Sequence, residues 1–178
     1  MTTENVTRPA FNPMPLDDDW TRWIVGEWVG SGESNAGQGR GTVRVESGLS
    51  GQFLIYRGDA EITQISPEHA DYLRRNMNAS DEEIERFKGT GYHSLEIYTL
   101  DQHTGDVIGY LFDNLRCLAK GRGKREGYKE TVNWEWSSGY KGTRITQRLS
   151  DDRMQIVERT PMPDGSVMED KGEMIRRK

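Results

Sequence analysis

The sequence contains a single cysteine, Cys117, among its 178 residues, and it lacks any long run of apolar side chains. One cysteine excludes an intramolecular disulfide and is compatible with a reducing compartment. No segment approaches the roughly 18 consecutive apolar residues that are typical of a membrane-spanning helix. The N-terminus also lacks the basic and apolar regions of a secretory signal. We therefore expect a cytoplasmic protein that does not insert into a membrane.

Motifs that would identify an enzyme are also missing. The sequence has no Gly-x-Ser-x-Gly motif, no phosphate-binding glycine loop, and no pair of cysteines or histidines at the spacing of metal ligands. The glycine-rich stretches at 30–33 and 37–41 stand between strand signals, not at a strand-to-helix turn. This context predicts loops or bulges at both stretches. We expect no bound cofactor.

The charge pattern argues against a nucleic-acid partner. The formal net charge is −5, whereas phosphate binding needs a concentrated basic face. The one basic cluster, residues 120–125, has two glycines between its cations. We interpret this cluster as the solvated tip of a hairpin, in preference to a contact with nucleic acid or acidic lipid.

Short alternating segments separated by turn residues recur along most of the chain. Apolar and polar residues alternate with the period of two that is typical of half-buried strands in segments 42–46, 93–98, 107–112, 128–136, 143–149 and 153–159. This pattern predicts an all-β fold, and the length suits one domain over residues 16–178. The polar residues 1–15 contain three prolines and no periodicity, so we expect a flexible arm or a strap on the domain surface.

Helix signals occur at three places. Apolar residues spaced at three and four positions follow three consecutive aspartates, which predicts an N-terminal helix near residues 17–25. Two more helices are predicted within residues 66–89, where Ser66 precedes Pro67 and where Ser80 begins a capping box. These two helices near 67–77 and 80–87 could cover a cavity, plug the end of the domain, or pack on a partner subunit.

Trp28 stands in the sequence Val-Gly-Glu-Trp-Val-Gly-Ser-Gly at 25–32, directly after the predicted N-terminal helix. With segments 98–110, 149–154 and 176–178, it resembles a family of uncharacterised bacterial lipocalin-like domains and, more distantly, nitrobindin-like barrels and other calycins. The resemblance implies a single antiparallel up-and-down β-barrel of about eight to ten strands around a cavity. It also implies a short turn in place of 66–89. Trp28 would pack against Arg176 or Arg177 of the last strand.

Candidate ligand-binding residues follow from the strand faces that alternation assigns to the barrel interior. They are His93, Tyr110, Glu130, Trp134, Trp136 and Arg148. The two tryptophans could fill a tapering interior or form an aromatic wall for a flat ligand. An inward Glu130 needs a partner, which Arg148 or Arg144 could supply as a structural ion pair. An inward arginine could instead hold a fatty-acid carboxylate.

Three classes of function remain open. Binding of a small apolar or amphipathic molecule in the barrel cavity is favoured, because no catalytic motif is present. The first alternative is an isomerase or hydrolase that uses His93 with an acidic partner. The second is a nitrobindin-like haem protein, which would have to ligate haem through His93. A plain oligomerisation module that forms a homo-oligomer is the fallback.

Overall fold

The computed structural model describes residues 13–89, 91–161 and 165–178. These residues form a closed antiparallel barrel of ten strands with three short helices. The helices are α1 (Asp19–Ile24), α2 (Pro67–Met77) and α3 (Asp81–Phe87). The strands are β1 (Gly26–Ser34), β2 (Gly37–Gly48), β3 (Phe53–Ile65), β4 (Gly91–Leu100), β5 (Val107–Asp113), β6 (Leu118–Glu126), β7 (Lys129–Trp136), β8 (Lys141–Arg148), β9 (Arg153–Pro161) and β10 (Val167–Arg176). The predicted lipocalin-like barrel, N-terminal helix and two-helix insertion are confirmed.

The strands follow one another around the barrel in chain order. Each strand pairs with the next, and β1 closes the sheet by pairing with β10 in a register that sets Trp28 opposite Arg176. Every strand therefore has two hydrogen-bonded neighbours, and the sheet has no free edge. Burial alternates along the strands as a barrel requires; in β5, for example, Val107 and Leu111 are buried while Tyr110 is exposed.

Helix α1 closes one end of the barrel. Its side chains Trp20, Trp23 and Ile24 are buried. The ring of Trp23 lies edge-on to the rings of Trp20 and Trp28, with centroids 5.0 and 5.2 Å apart. The carboxylate of Asp18 caps the helix by accepting the backbone N–H of Thr21 at 2.8 Å. The helix is therefore fixed by an aromatic cluster on one side and by its cap at the start.

Trp28 and Arg176 join the first strand, the last strand and α1. Trp28 is fully buried, and its indole N–H donates to the carbonyl of Ile24 at 2.9 Å. The guanidinium carbon of Arg176 lies 4.3 Å from the centre of a Trp28 ring. The same guanidinium donates to the carbonyl of Val25 at 2.7 Å and to that of Trp23. The predicted contact between Trp28 and a basic residue of the last strand is thus confirmed.

The insertion between β3 and β4 contributes few side chains to any core. Among its described side chains, Leu73 of α2 and Ile84 of α3 are the buried apolar ones. The Ser66 hydroxyl, at the start of α2, donates to the carbonyl of Asn35 in the β1–β2 turn at 2.6 Å. The insertion is therefore anchored at the end of the barrel opposite α1. Within the described ranges, no helix has a stretch of apolar sequence long enough to cross a bilayer.

The basic cluster at 120–125 is not a hairpin tip, so that prediction is wrong. It lies within β6, where its lysines and Arg122 are exposed and Gly121 is buried. A Cβ on Gly121 would lie 2.9 Å from the ring of Trp134 on β7, so a larger inward side chain would clash with the tryptophan. The glycines that suggested a flexible loop are instead the inward positions of a strand.

The predicted flexible arm, residues 1–15, falls outside the described residues apart from 13–15. Within 13–15, the carbonyl of Pro13 accepts a hydrogen bond from the side chain of Gln52 at 2.9 Å. The backbone N–H of Leu16 donates to the carbonyl of Gly51 at 2.8 Å. The chain thus runs along the β2–β3 turn before it enters α1.

Truncation of Trp28 should destabilise the whole barrel. We expect Trp28→Ala to lower the free energy of unfolding by about 3 to 5 kcal/mol, because a fully buried aromatic side chain is lost from the junction of β1, β10 and α1. Urea denaturation measures the change. Tyr140→Ala, at an aromatic residue that is 56 % exposed, is the control and should cost less than about 0.5 kcal/mol. Equal losses in the two variants would contradict a central role for Trp28.

Candidate functional site

His93 lies on the outer face of β4, and the prediction that it faces inward is wrong. Its side chain is 61 % exposed, and its Nδ1 lies 2.6 Å from a carboxylate oxygen of Asp59, another outer residue. Leu95 and Ile97 share this outer face, while the buried Glu96 points inward. Apolar alternation misassigns this strand because the interior here is polar and the outside is apolar.

Tyr110 also faces outward, and its predicted inward position is wrong for a steric reason. It is 42 % exposed, and the inward position beside it on β5 is Gly109. A Cβ on Gly109 would lie 2.8 Å from the Trp134 ring, so this inner position has no room for a side chain. The large residue of the pair is therefore on the outside.

Arg148 belongs to the closed end of the barrel. Its guanidinium binds the carboxylates of Asp19 at 2.9 Å and Asp151 at 2.6 Å. The guanidinium carbon lies 5.3 Å from the centres of the Trp23 and Tyr128 rings. Arg148 therefore helps to hold α1 and does not reach the interior space described below.

The three histidines of the chain all lie outside the barrel interior. His69 is on α2, where its ring centre is 5.9 Å from that of Phe87, and His103 is in the turn between β4 and β5. With His93 on the outer face, the enzyme and haem alternatives lose the inward histidine on which both depended.

Glu130 is buried inside the barrel, and its partner is Arg125. The Nε of Arg125 on β6 donates to Glu130 at 2.7 Å, and a terminal nitrogen reaches the Asp18 carboxylate at 3.1 Å. The sequence suggested Arg144 or Arg148 instead. Burial raises the pKa of Glu130, although the neighbouring Arg125 acts in the opposite direction. This ion pair ties the interior to the cap of α1 and is structural.

Arg144 is the centre of a second network that crosses the barrel. Its guanidinium binds Glu96 of β4 and Glu158 of β9, each at 2.5 Å. The hydroxyl of Tyr98 donates to Glu96 at 2.6 Å. Burial alone would lower the pKa of Arg144, but Glu158 and Glu96 outweigh it and hold that pKa well above its usual range. Arg144 is therefore charged and already bound to two carboxylates.

Trp134 and Trp136 fill the interior beside this network. Trp134 is buried and meets the ring of Tyr98 edge-on, with centroids 5.8 Å apart. The guanidinium carbon of Arg144 lies 5.6 Å from a Trp134 ring centre, and the ring centres of Trp134 and Trp136 are 6.5 Å apart. Of the two packing arrangements predicted for these tryptophans, the structure shows the one that fills space.

A cavity of about 500 Å³ occupies the end of the barrel opposite α1. Small residues form its wall on β1, β2 and β10, and apolar side chains form the rest of its floor and rim. The glycines of the wall are Gly30, Gly32, Gly37, Gly39 and Gly172, the apolar residues are Ala60, Ile62, Ile156 and Met174, and the rim carries Phe87 and Leu115. None of the six predicted ligand-binding residues lines this cavity.

The glycine wall comes from the two stretches that the sequence analysis interpreted as loops or bulges. Both lie in paired strands, with Gly30 opposite Gly41 and Gly32 opposite Gly39; a bulge is present between Gln38 and Gly39. A Cβ on Gly30 would lie 2.1 Å from a carbonyl oxygen of β10, so the sheet excludes a side chain there. The recurrence of glycine at every second residue was the available signal, because two is the period of a strand.

Two carboxylates face the cavity from adjacent strands. Asp170 of β10 stands directly opposite Glu158 of β9 in the strand register, and both line the cavity. Like charges at directly opposite positions destabilise a sheet. Counting in steps of two, back from the buried Met174 and forward from the buried Met154, assigns both carboxylates to the inner face. This signal was missed because acidic residues are ordinarily expected outside.

Asp170 is incompletely paired. Its carboxylate accepts the backbone N–H of Asn35, but its Oδ1 atom is buried and has no hydrogen-bond partner among the described residues. Burial raises the pKa of Asp170, and the Glu158 carboxylate raises it further. In the part of the chain that the structure describes, no three His, Cys, Asp or Glu side chains are grouped to hold a metal ion. Asp170 therefore has one carboxylate oxygen that no described group uses as an acceptor.

Known proteins resemble this chain in fold only. No family model and no curated protein matches it. Among solved structures it is similar to an S-type phycobiliprotein lyase from Guillardia theta, with a TM-score of 0.54 at 8 % identity over 90 % of this chain and 92 % of that one. A designed fluorescence-activating β-barrel matches with a TM-score of 0.41 at 15 % identity, over 90 % of this chain and 100 % of that one. A redesigned β-barrel matches with a TM-score of 0.45 at 12 % identity, over 89 % of this chain and 95 % of that one. Membership of the bacterial lipocalin-like family stays a prediction.

Neutralising Asp170 should stabilise the protein at neutral pH. Because its pKa is raised in the folded state, the ionised form costs stability above that pKa, and the cost disappears once the acid is protonated in both the folded and unfolded states. We expect Asp170→Asn to increase the free energy of unfolding at neutral pH and to change it little in acid, as measured by urea denaturation. Glu169→Gln, on the outer face where Glu169 binds Arg159 at 2.8 Å, should give no such gain. A loss of stability in Asp170→Asn at neutral pH would refute this account.

Proposed function

We propose that this barrel binds one small, predominantly apolar molecule in the cavity opposite α1. The observation that carries the proposal is the cavity itself, because about 500 Å³ lies within the range of sites that enclose drug-sized ligands. Ile62, Ile156 and Met174 supply apolar contact surface. Glu158, which lines the cavity, is bound to Arg144, so the polar network of the barrel interior borders the cavity.

The glycine wall leaves the space in which we propose that the ligand lies. A barrel interior is ordinarily filled by side chains at close-packed density. In this half of the barrel, Gly30, Gly32 and Gly39 leave space, although glycine within a strand costs backbone entropy on folding and contributes no packing. The close approach of the neighbouring strands requires these glycines. A ligand that occupies the space they leave would supply the missing inner contacts.

The insertion is proposed to cover the cavity mouth. Phe87, at the end of α3, contributes to the cavity lining and is partly exposed. The backbone N–H of Gly89, just after this helix, donates to the carbonyl of Ile62 on the cavity wall at 3.0 Å. The end of α3 is therefore attached to the rim, and movement of Phe87 would widen or narrow the opening.

Filling the cavity should abolish ligand binding. We expect Nile red, an uncharged apolar dye, to bind the unmodified protein at one site with a rise and blue shift of its emission. Ala60→Phe should weaken this binding by at least about tenfold, because the new ring occupies the space that the dye needs. Fluorescence titration gives both affinities.

Thr42→Phe is the matched control for that experiment, because Thr42 lies on the outer face of β2 and its new ring would stay outside the cavity. It should bind the dye as the unmodified protein does. Circular dichroism establishes that both variants fold. Unchanged dye binding in a folded Ala60→Phe variant would show that the dye sits elsewhere and would refute the cavity as the site.

Removal of the Phe87 ring should open the cavity mouth. We expect Phe87→Ala to speed both association and release of Nile red severalfold in stopped-flow fluorescence, with a smaller effect on the equilibrium constant, because access is limited by the cover. Tyr72→Ala, which removes an exposed ring from α2, is the control. Rates that are the same in Phe87→Ala and in the unmodified protein would mean that the insertion is only a packing element.

A further inference from the structure

The polar groups of the cavity do not suit a fatty-acid carboxylate. Arg144 is already bound to Glu158 at the cavity wall. Asp170 adds a further carboxylate there. An anionic head group beside Asp170 and Glu158 would therefore meet two carboxylates that repel it. Lys171 and Arg40 also border the cavity, but they occupy outward positions of β10 and β2, so their side chains lie on the outer face.

We infer that the ligand of this cavity carries a protonated amine, which binds between Asp170 and Glu158. The inference rests on the proposed function, since it names the chemical class of the molecule that the cavity takes. An ammonium group has up to three N–H donors and no acceptor, and it therefore matches a pair of carboxylates that offers only acceptors.

The register of the strands brings the two carboxylates to the same point of the cavity wall. Asp170 and Glu158 are direct cross-strand partners, and partners of this kind have their Cβ atoms about 5 Å apart. One cation can therefore contact both side chains. Its charge would relieve the repulsion between the two acids, and its N–H groups would donate to their carboxylates.

The rest of the cavity indicates where the apolar part of such a molecule would lie. Gly172 is the inward position next to Asp170 on β10, and Met174 follows it. Ile156 stands at the corresponding position of β9, opposite Gly172. The apolar body of an amine held at Asp170 would therefore lie against the glycine wall and these two side chains. The ligand class is an amphipathic amine with a compact apolar body.

Three probes with the same apolar body and different head groups test the inference: naphthylmethylamine, naphthylmethanol and naphthoate. Isothermal titration calorimetry at neutral pH measures the affinity of each for the full chain. We expect the amine to bind at least about tenfold more tightly than the alcohol, because a hydrogen bond to a charged group is the stronger one. The carboxylate should bind most weakly.

Asp170→Asn is the decisive variant, since it keeps the shape of the side chain and one oxygen acceptor but removes the charge. It should bring the affinity of the amine close to that of the alcohol and leave the alcohol's own affinity unchanged. Glu169→Gln removes the same charge from the outer face one residue away, and it should retain the preference for the amine.

The outcomes separate this inference from the proposed function. If the alcohol or the carboxylate binds as tightly as the amine, or if Asp170→Asn keeps the preference for the amine, the inference is wrong while cavity binding stands. If neither the naphthyl probes nor Nile red binds, both the inference and the proposed function are overturned. A preference for the amine that is lost in Asp170→Asn and kept in Glu169→Gln supports the inference.

Discussion

At the closed end of the barrel, one guanidinium joins the last strand to the first strand and to the helix that precedes it. Arg176 of β10 packs on the ring of Trp28 in β1 and donates to the carbonyls of Trp23 and Val25, where α1 ends. These carbonyls have no partner within the helix, and leaving them buried and unpaired would cost free energy. The closure of the sheet and the docking of α1 therefore depend on the same group, and ligand space is confined to the opposite end.

Between the two ends, the interior of the barrel is unusually polar. The ion pairs of Arg125 and Arg144 replace the apolar side chains that would normally fill a small barrel. Buried ion pairs of this kind contribute little net stability, but each demands one arrangement of its partners. Arg144 links β4 to β8 and β9 across the barrel, and one of its partners, Glu158, also lines the cavity. The cavity is therefore bordered by this charged network as well as by apolar side chains.

The architecture was readable from the sequence, but the site was not. Period-two segments and the Trp28 motif were sufficient for the barrel, and alternation assigned Glu130 and Trp134 correctly to the interior. It failed for His93, because hydrophobic alternation distinguishes inside from outside only where the inside is apolar. Asp170 was missed for the same reason. The partners of the ion pairs across the barrel depend on how the sheet closes, and local sequence patterns do not predict that closure.

The glycine wall also affects motion. At the cavity end of β1 and β2, Gly30, Gly32 and Gly39 provide no side-chain contacts on the inner face. The backbone hydrogen bonds there therefore have few side chains packed around them. Native proteins open first in regions of this kind. Amide hydrogens of these strands would exchange with solvent faster than those beside the buried Trp28. A molecule bound in the cavity would slow that exchange. The exchange rate of the amides in this wall would therefore show whether the cavity is filled.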